Sequence, residues 1–122
     1  MKFFKFWFPV ILYSGIIFSI SGIPDVQIPL GIEYSDKVVH IAEYFLEGWL
    51  FSRALGGTMR LDSKIILAAT AIFCLLYGLT DEFHQFFVEG RTSSLVDVLA
   101  DGIGGALGGY VYISRLRTKT AN

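Results

Sequence analysis

The two histidines of this chain, His40 and His84, each lie within one helical turn of a carboxylate: Asp36 is four residues before His40, and Asp81 three before His84. Asp97 and Asp101 repeat the four-residue interval. An imidazole oriented by a carboxylate is equipment for general acid or base work, because the acid fixes its tautomer and tunes its proton affinity. The candidate catalytic set is therefore Asp36, His40, Tyr44, Asp81, His84, Asp97 and Asp101. Lys37 and Arg91 could hold a phosphate or carboxylate, and Gln85 and Glu82 stand behind them as binding residues.

Carboxylate and histidine pairs at helical spacing, here Asp36 with His40 and Asp81 with His84, also hold divalent ions between bundle helices. The metal, if any, is left unassigned. Each residue has a plainer reading as well. The carboxylates could be neutral packing elements, the histidines ordinary hydrogen-bonders, Lys37 a residue reaching for the interface, and Arg91 a turn-closing partner of Glu89. Ser93 and Ser94 lie near enough to be nucleophiles, but no neighbour in the sequence marks either as activated.

The elements that must position these groups are built for lipid. Of 122 residues, 53% are hydrophobic and only 17% charged, against about 25% charged in a typical soluble domain. The mean hydropathy is +0.56. A net charge of −1 leaves no basic surplus for nucleic acid. The lone Cys74 excludes an intrachain disulfide and says nothing about redox compartment. The expectation is one domain over residues 1–122, an all-α integral membrane bundle of four transmembrane helices, at about 6–22, 36–55, 65–88 and 95–114, with no internal repeat.

The first segment also fits a signal peptide, since Lys2 and Lys5 precede its apolar run and Ser19 and Ser21 are small. An uncleaved helix is the expectation. The second is the most polar of the four. At 100° per residue, however, Asp36, His40, Glu43, Tyr44 and Glu47 fall within an arc of roughly 100°, leaving Val38, Ile41, Phe45, Leu46, Trp49 and Leu50 for lipid or neighbours. On the third helix Tyr77, Asp81, His84 and Gln85 share a face and Glu82 lies off it. On the fourth, Asp97, Asp101, Gly104, Gly105 and Gly108 align.

Lys2, Lys5, Arg53, Arg60, Lys64, Arg115, Arg117 and Lys119 fall on one side of such a bundle, and only Lys37 and Arg91 on the other. The basic side is cytoplasmic by the positive-inside rule, so both termini are inside, with outer loops near 23–35, marked by Pro24, Pro29 and Gly31, and near 89–94. At 1.5 Å per residue, His40 lies about 6 Å below Asp36, Asp81 about 10 Å below Val88, and Asp101 about 9 Å below Leu95. The acidic groups then share the outer half of the bilayer, where they must pair, protonate or hydrate. The small residues Gly104, Gly105, Gly108 and Gly109 permit close helix approach, either inside the bundle or in a homo-oligomer.

The run Tyr77-Gly78-Leu79-Thr80-Asp81-Glu82-Phe83-His84-Gln85-Phe86-Phe87-Val88-Glu89-Gly90-Arg91 resembles the signature of the VanZ-like family of bacterial membrane proteins. Asp36-Lys37-Val38-Val39-His40 followed by Tyr44, and Ser94 to Asp101 with Gly104-Gly105, resemble two further elements of that family, so the likeness covers roughly residues 7–112. It departs from the commoner pattern at Glu89, often proline, at Glu47, usually apolar or small, and at Asp101, often asparagine. The resemblance implies a multi-pass protein of the bacterial cell membrane, acting at the envelope and associated with resistance to the glycopeptide teicoplanin. Two kinds of function follow. One is an enzyme or binding site for a lipid-linked or cell-wall-derived substrate in an outward-facing polar pocket. The other is a small transporter, proton-coupled protein or partner of envelope machinery. Against the second, the lining turns apolar below Glu47 and Tyr77.

Overall fold

The computed structural model describes residues 1–24 and 35–120, with backbone only for Ser35, Lys119 and Thr120. Pro29 and Gly31 of the expected outer loop lie outside the described residues. Among the described residues there are four α-helices and no strand: α1 Lys2–Ser21, α2 Ser35–Thr58, α3 Ser63–Gln85 and α4 Leu95–Thr120.

Apolar periodicity sets the buried edge of α1. Val10, Ser14, Ile17 and Ser21 follow one another at intervals of four, three and four, and Val10, Ile17 and Ser21 are buried. Pro9 lies within this helix. It has no N–H to give the carbonyl of Lys5, and Arg53 Nη1 donates to that carbonyl instead, at 3.5 Å. Beside it Trp7 Nε1 donates to Thr58 Oγ1 at 3.2 Å, tying the start of α1 to the end of α2.

The sequence reading carried the third helix to residue 88, on the apolar character of Phe86, Phe87 and Val88. Instead α3 ends at Gln85, and the chain tightens: the Phe87 and Val88 N–H groups reach back only three residues, to His84 and Gln85. Gly90 then takes a φ of 77°, a left-handed conformation open to glycine at little cost. Phe86 and Phe87 are exposed rather than part of a buried helical face. At the other ends α1 starts earlier than expected, and α2 and α4 run later.

The helices alternate in direction, so α2 and α4 run parallel and form the closest pair. Glycine makes this possible. A Cβ on Gly48 would strike the backbone of Gly105, one on Gly104 the carbonyl of Ile41, and one on Gly108 the carbonyl of Phe45. Gly105 also faces Cys74 of α3, and Gly109 faces Ser52 and Thr70. Gly104, Gly105, Gly108 and Gly109 are thus buried inside the chain, and the surface they would offer a second copy is already covered by α2 and α3.

Two of the four helices, Lys2–Ser21 and Ser63–Gln85, are long and apolar enough to cross a membrane. Large apolar side chains stand exposed along the bundle, among them Phe4, Ile11, Phe18, Ile72, Leu76, Phe83, Leu99 and Ile103. At one end Leu55, Ile66 and Ile113 form a closed apolar layer.

Candidate functional site

The opposite end is acidic, and parallel α2 and α4 build its centre. Because both helices begin there, the first turns of each stand side by side. Lys37 Nζ bridges Asp36 Oδ2 and Asp97 Oδ1, at 2.6 Å to each. One turn deeper, the His40 Nδ1–H donates to Asp101 Oδ1 at 2.8 Å. Asp101 is fully buried, and it sits where α3 has no side chain, since a Cβ on Gly78 would collide with its carboxylate.

Helix α3 supplies the third wall. Glu82, 2% exposed, accepts the Ser94 backbone N–H on Oε2 at 2.7 Å. Helical spacing places Glu82 off the shared face of α3, yet one polar atom from each of His40, Glu82 and Asp97 lies within 4.8 Å of the others. Ser94 has a structural post: its carbonyl accepts from Asp97 and Val98, and its Oγ accepts the Val96 N–H at 3.2 Å, so it starts α4.

The second half of the expected set divides. Asp81 is buried with Gln85, whose Nε2 donates to Asp81 Oδ2 at 3.4 Å. His84 is turned away from the α2–α4 pair. Its ring stacks on Phe18 of α1, with centroids 4.2 Å apart and planes 11° from parallel. The pairing of Asp81 with His84 as metal ligands opposite Asp36 and His40 is therefore not the arrangement found, and the side chain of Asp36 is 59% exposed beside Lys37. Arg91 does not close on Glu89 in the contacts described; its Nη2 donates to the Ile20 carbonyl at 3.2 Å, at the end of α1.

Tyr44 and Glu47 continue the polar column inward, both fully buried. The ring of Tyr44 lies 6.2 Å from that of Tyr77. Helix α1, to which the sequence reading gave no polar task, meets this column at Ser14: its Oγ donates to Glu47 Oε1 at 2.6 Å, and its carbonyl accepts from the Tyr77 hydroxyl at 2.6 Å. The signal was there in the spacing of Ser14 and Ser21 on the edge of α1 that carries Val10 and Ile17.

The site has unfilled hydrogen-bonding capacity. Tyr44 Oη, Glu47 Oε2, Asp81 Oδ1, Glu82 Oε1, His84 Nδ1 and Asp101 Oδ2 are buried without a protein partner. A buried polar atom left so costs on the order of 1–3 kcal/mol, so a group of them marks a place for water, protons or a ligand. Two surface clefts lie elsewhere, one at Trp49, Tyr112 and Arg115 near the end of α4, the other along α1 at Phe8, Leu12 and Ile16.

Comparison with known proteins adds one match. The model of the VanZ/LLP1 family covers residues 3–117, nearly the whole chain. No curated protein and no solved structure matches.

Proposed function

Since the chain belongs to the VanZ/LLP1 family, we propose that it is a multi-pass protein of the bacterial cell membrane that binds or processes a lipid-linked or cell-wall-derived substrate. In this reading all four helices span the bilayer with both termini cytoplasmic. The 24 residues of α2 and 26 of α4 reach about 36 and 39 Å at 1.5 Å per residue, enough for a hydrocarbon core of about 30 Å. Their charges turn toward one another, as intramembrane charges must, and the basic residues gather at the end remote from the acidic site.

The observation that carries the reading is the set of buried, partnerless polar atoms on Tyr44, Asp81, Glu82 and Asp101, beside the Lys37–Asp97 and His40–Asp101 pairs. Such a concentration at one end of three helices suits a substrate that brings hydrogen-bond donors, such as hydroxyl and amide groups, to acceptors held at headgroup height, with Lys37 and Arg91 nearby for any phosphate or carboxylate it carries. A transport path finds less support. Below Glu47 the next buried polar pair, Ser52 and Thr70, is satisfied by its own 2.7 Å hydrogen bond, and Leu55, Ile66 and Ile113 close the way beyond it.

The test is teicoplanin and vancomycin susceptibility in a sensitive host carrying the wild-type protein, an Asp81→Asn variant or empty vector, with membrane expression verified in each. The expected result is protection by the wild type that the variant loses. Equal susceptibility in all three rejects a resistance role.

A further inference from the structure

We propose that His40, Glu82 and Asp97 form a binding site for a divalent transition-metal ion such as zinc or manganese, with Asp101, Ser94 and Lys37 holding the three ligands in place. The inference concerns the ion alone and stands whatever substrate the envelope reading assigns to this end of the molecule.

Proximity is the first support. The three donor atoms come from α2, α3 and α4 and lie within 4.8 Å of one another. Ligands about 2.1 Å from one tetrahedral ion are about 3.4 Å apart, so a modest closing of side chains suffices. The second support is how each ligand is held. Asp101 Oδ1 takes the His40 Nδ1–H at 2.8 Å, which leaves the lone pair on Nε2. The Ser94 N–H engages Glu82 Oε2 at 2.7 Å, and Lys37 engages Asp97 Oδ1 at 2.6 Å. In every case one polar atom is fixed by an outer partner while the residue keeps another to give. A carboxylate behind a histidine ligand is the usual outer-sphere device for orienting the ring and raising its donor strength.

The third support is independent of proximity. Glu82, 2% exposed, keeps Oε1 buried with no hydrogen-bond partner. A carboxylate oxygen in that state has an open place for a water, a proton or a cation. Charge points the same way: Glu82, Asp97 and Asp101 converge on a region where, among the described residues, Lys37 pairs with Asp97 and His40 with Asp101, and Glu82 has no basic partner. One imidazole nitrogen with two carboxylate oxygens suits zinc or manganese, whereas magnesium favours an all-oxygen shell.

The experiment uses the full chain in lipid nanodiscs, treated with chelator and titrated with Co2+ under a visible spectrum, followed by Zn2+. The expected result is saturation at one Co2+ per chain, with ligand-field bands that Zn2+ abolishes. Glu82→Gln and Asp97→Asn should each weaken binding at least tenfold, and Asp101→Asn by about ten- to a hundredfold, as outer-sphere substitutions do. Glu89→Gln, on an exposed residue outside the cluster, should bind as the wild type does. A featureless, non-saturating Co2+ titration of the wild type overturns the site, and that measurement decides even where a variant fails to fold. Wild-type affinity in both Glu82→Gln and Asp97→Asn, or saturable Mg2+ binding in preference to Zn2+, overturns it too.

Discussion

The two ends of this bundle treat buried polar atoms in opposite ways. Toward the end where α1 and α3 begin, Ser52 and Thr70 bond to each other, and Thr58 Oγ1 both donates to the Ala54 carbonyl and accepts from Trp7. Toward the other end, beyond Tyr44 and Glu47, buried atoms of Asp81, Glu82, His84 and Asp101 have no partner. The first end is constructed to hold, with its polar groups closed among themselves above an apolar layer. The second forgoes stability that the same helices could have had. Spending of that kind is expected where a site must keep capacity for something that arrives from outside.

The largest effect should come from the hinge between these ends, the α2–α4 contact. Gly108→Leu places a side chain where the Phe45 carbonyl already stands, against backbone that cannot rotate away. The expected loss is about 3 kcal/mol, read as a fall in folded yield and in thermal midpoint in detergent. A variant of wild-type stability would mean that the two helices separate easily, and the seam that joins the closed end to the open one would not hold them in register.

Next in size is a test of the closed end. Thr70→Val leaves the Ser52 hydroxyl buried and alone and should cost about 1–3 kcal/mol. The double variant Thr70→Val with Ser52→Ala should recover part of that loss, because neither polar group then remains to be satisfied. Chemical denaturation of the three proteins gives the comparison directly.

The smallest effect has the opposite sign. Glu47→Gln keeps an oxygen for the 2.6 Å bond from Ser14 and removes a buried acidic group whose second oxygen has no partner. Thermal unfolding should show a gain of roughly 1 kcal/mol, because a buried carboxylate loses more hydration than the neutral amide that replaces it. A loss of that size would place Glu47 with the closed end and not with the open one.

Much of this was legible from helical spacing alone. The arcs on α2 and α4 brought His40, Asp97 and Asp101 together correctly, because those helices have their polar groups facing each other. On α3 the same procedure misled. A helical wheel gives directions about one axis but not which neighbour occupies each direction, and α3 has three: α4 beside Glu82 and Gly78, α2 beside Thr70 and Tyr77, and α1 beside His84. Thus His84, on the expected arc, stacks on Phe18, while Glu82, about 100° from Asp81, reaches the amino end of α4. Ser14 escaped notice because a lone serine in an apolar run carries no charge to signal its partner. The span count divides for a related reason. Of the four expected spans, average hydropathy singles out α1 and α3; in α2 and α4 it is lowered by the basic residues and acids that pair across their shared seam.

Parallel neighbours cannot be joined by a short turn, and so the whole of α3 intervenes between α2 and α4. Lys37 and Asp97 are 60 residues apart in the chain, and His40 and Asp101 are 61. A ribosome making this protein therefore releases Lys37 and His40 well before Asp97 and Asp101 exist, and until then the ammonium has only its neighbour Asp36. The second helix must wait, its polar face uncovered, until the last one arrives. Assembly is then governed by order of synthesis, and a chain stopped after α3 would hold an imidazole whose carboxylate partner lies on the missing final helix.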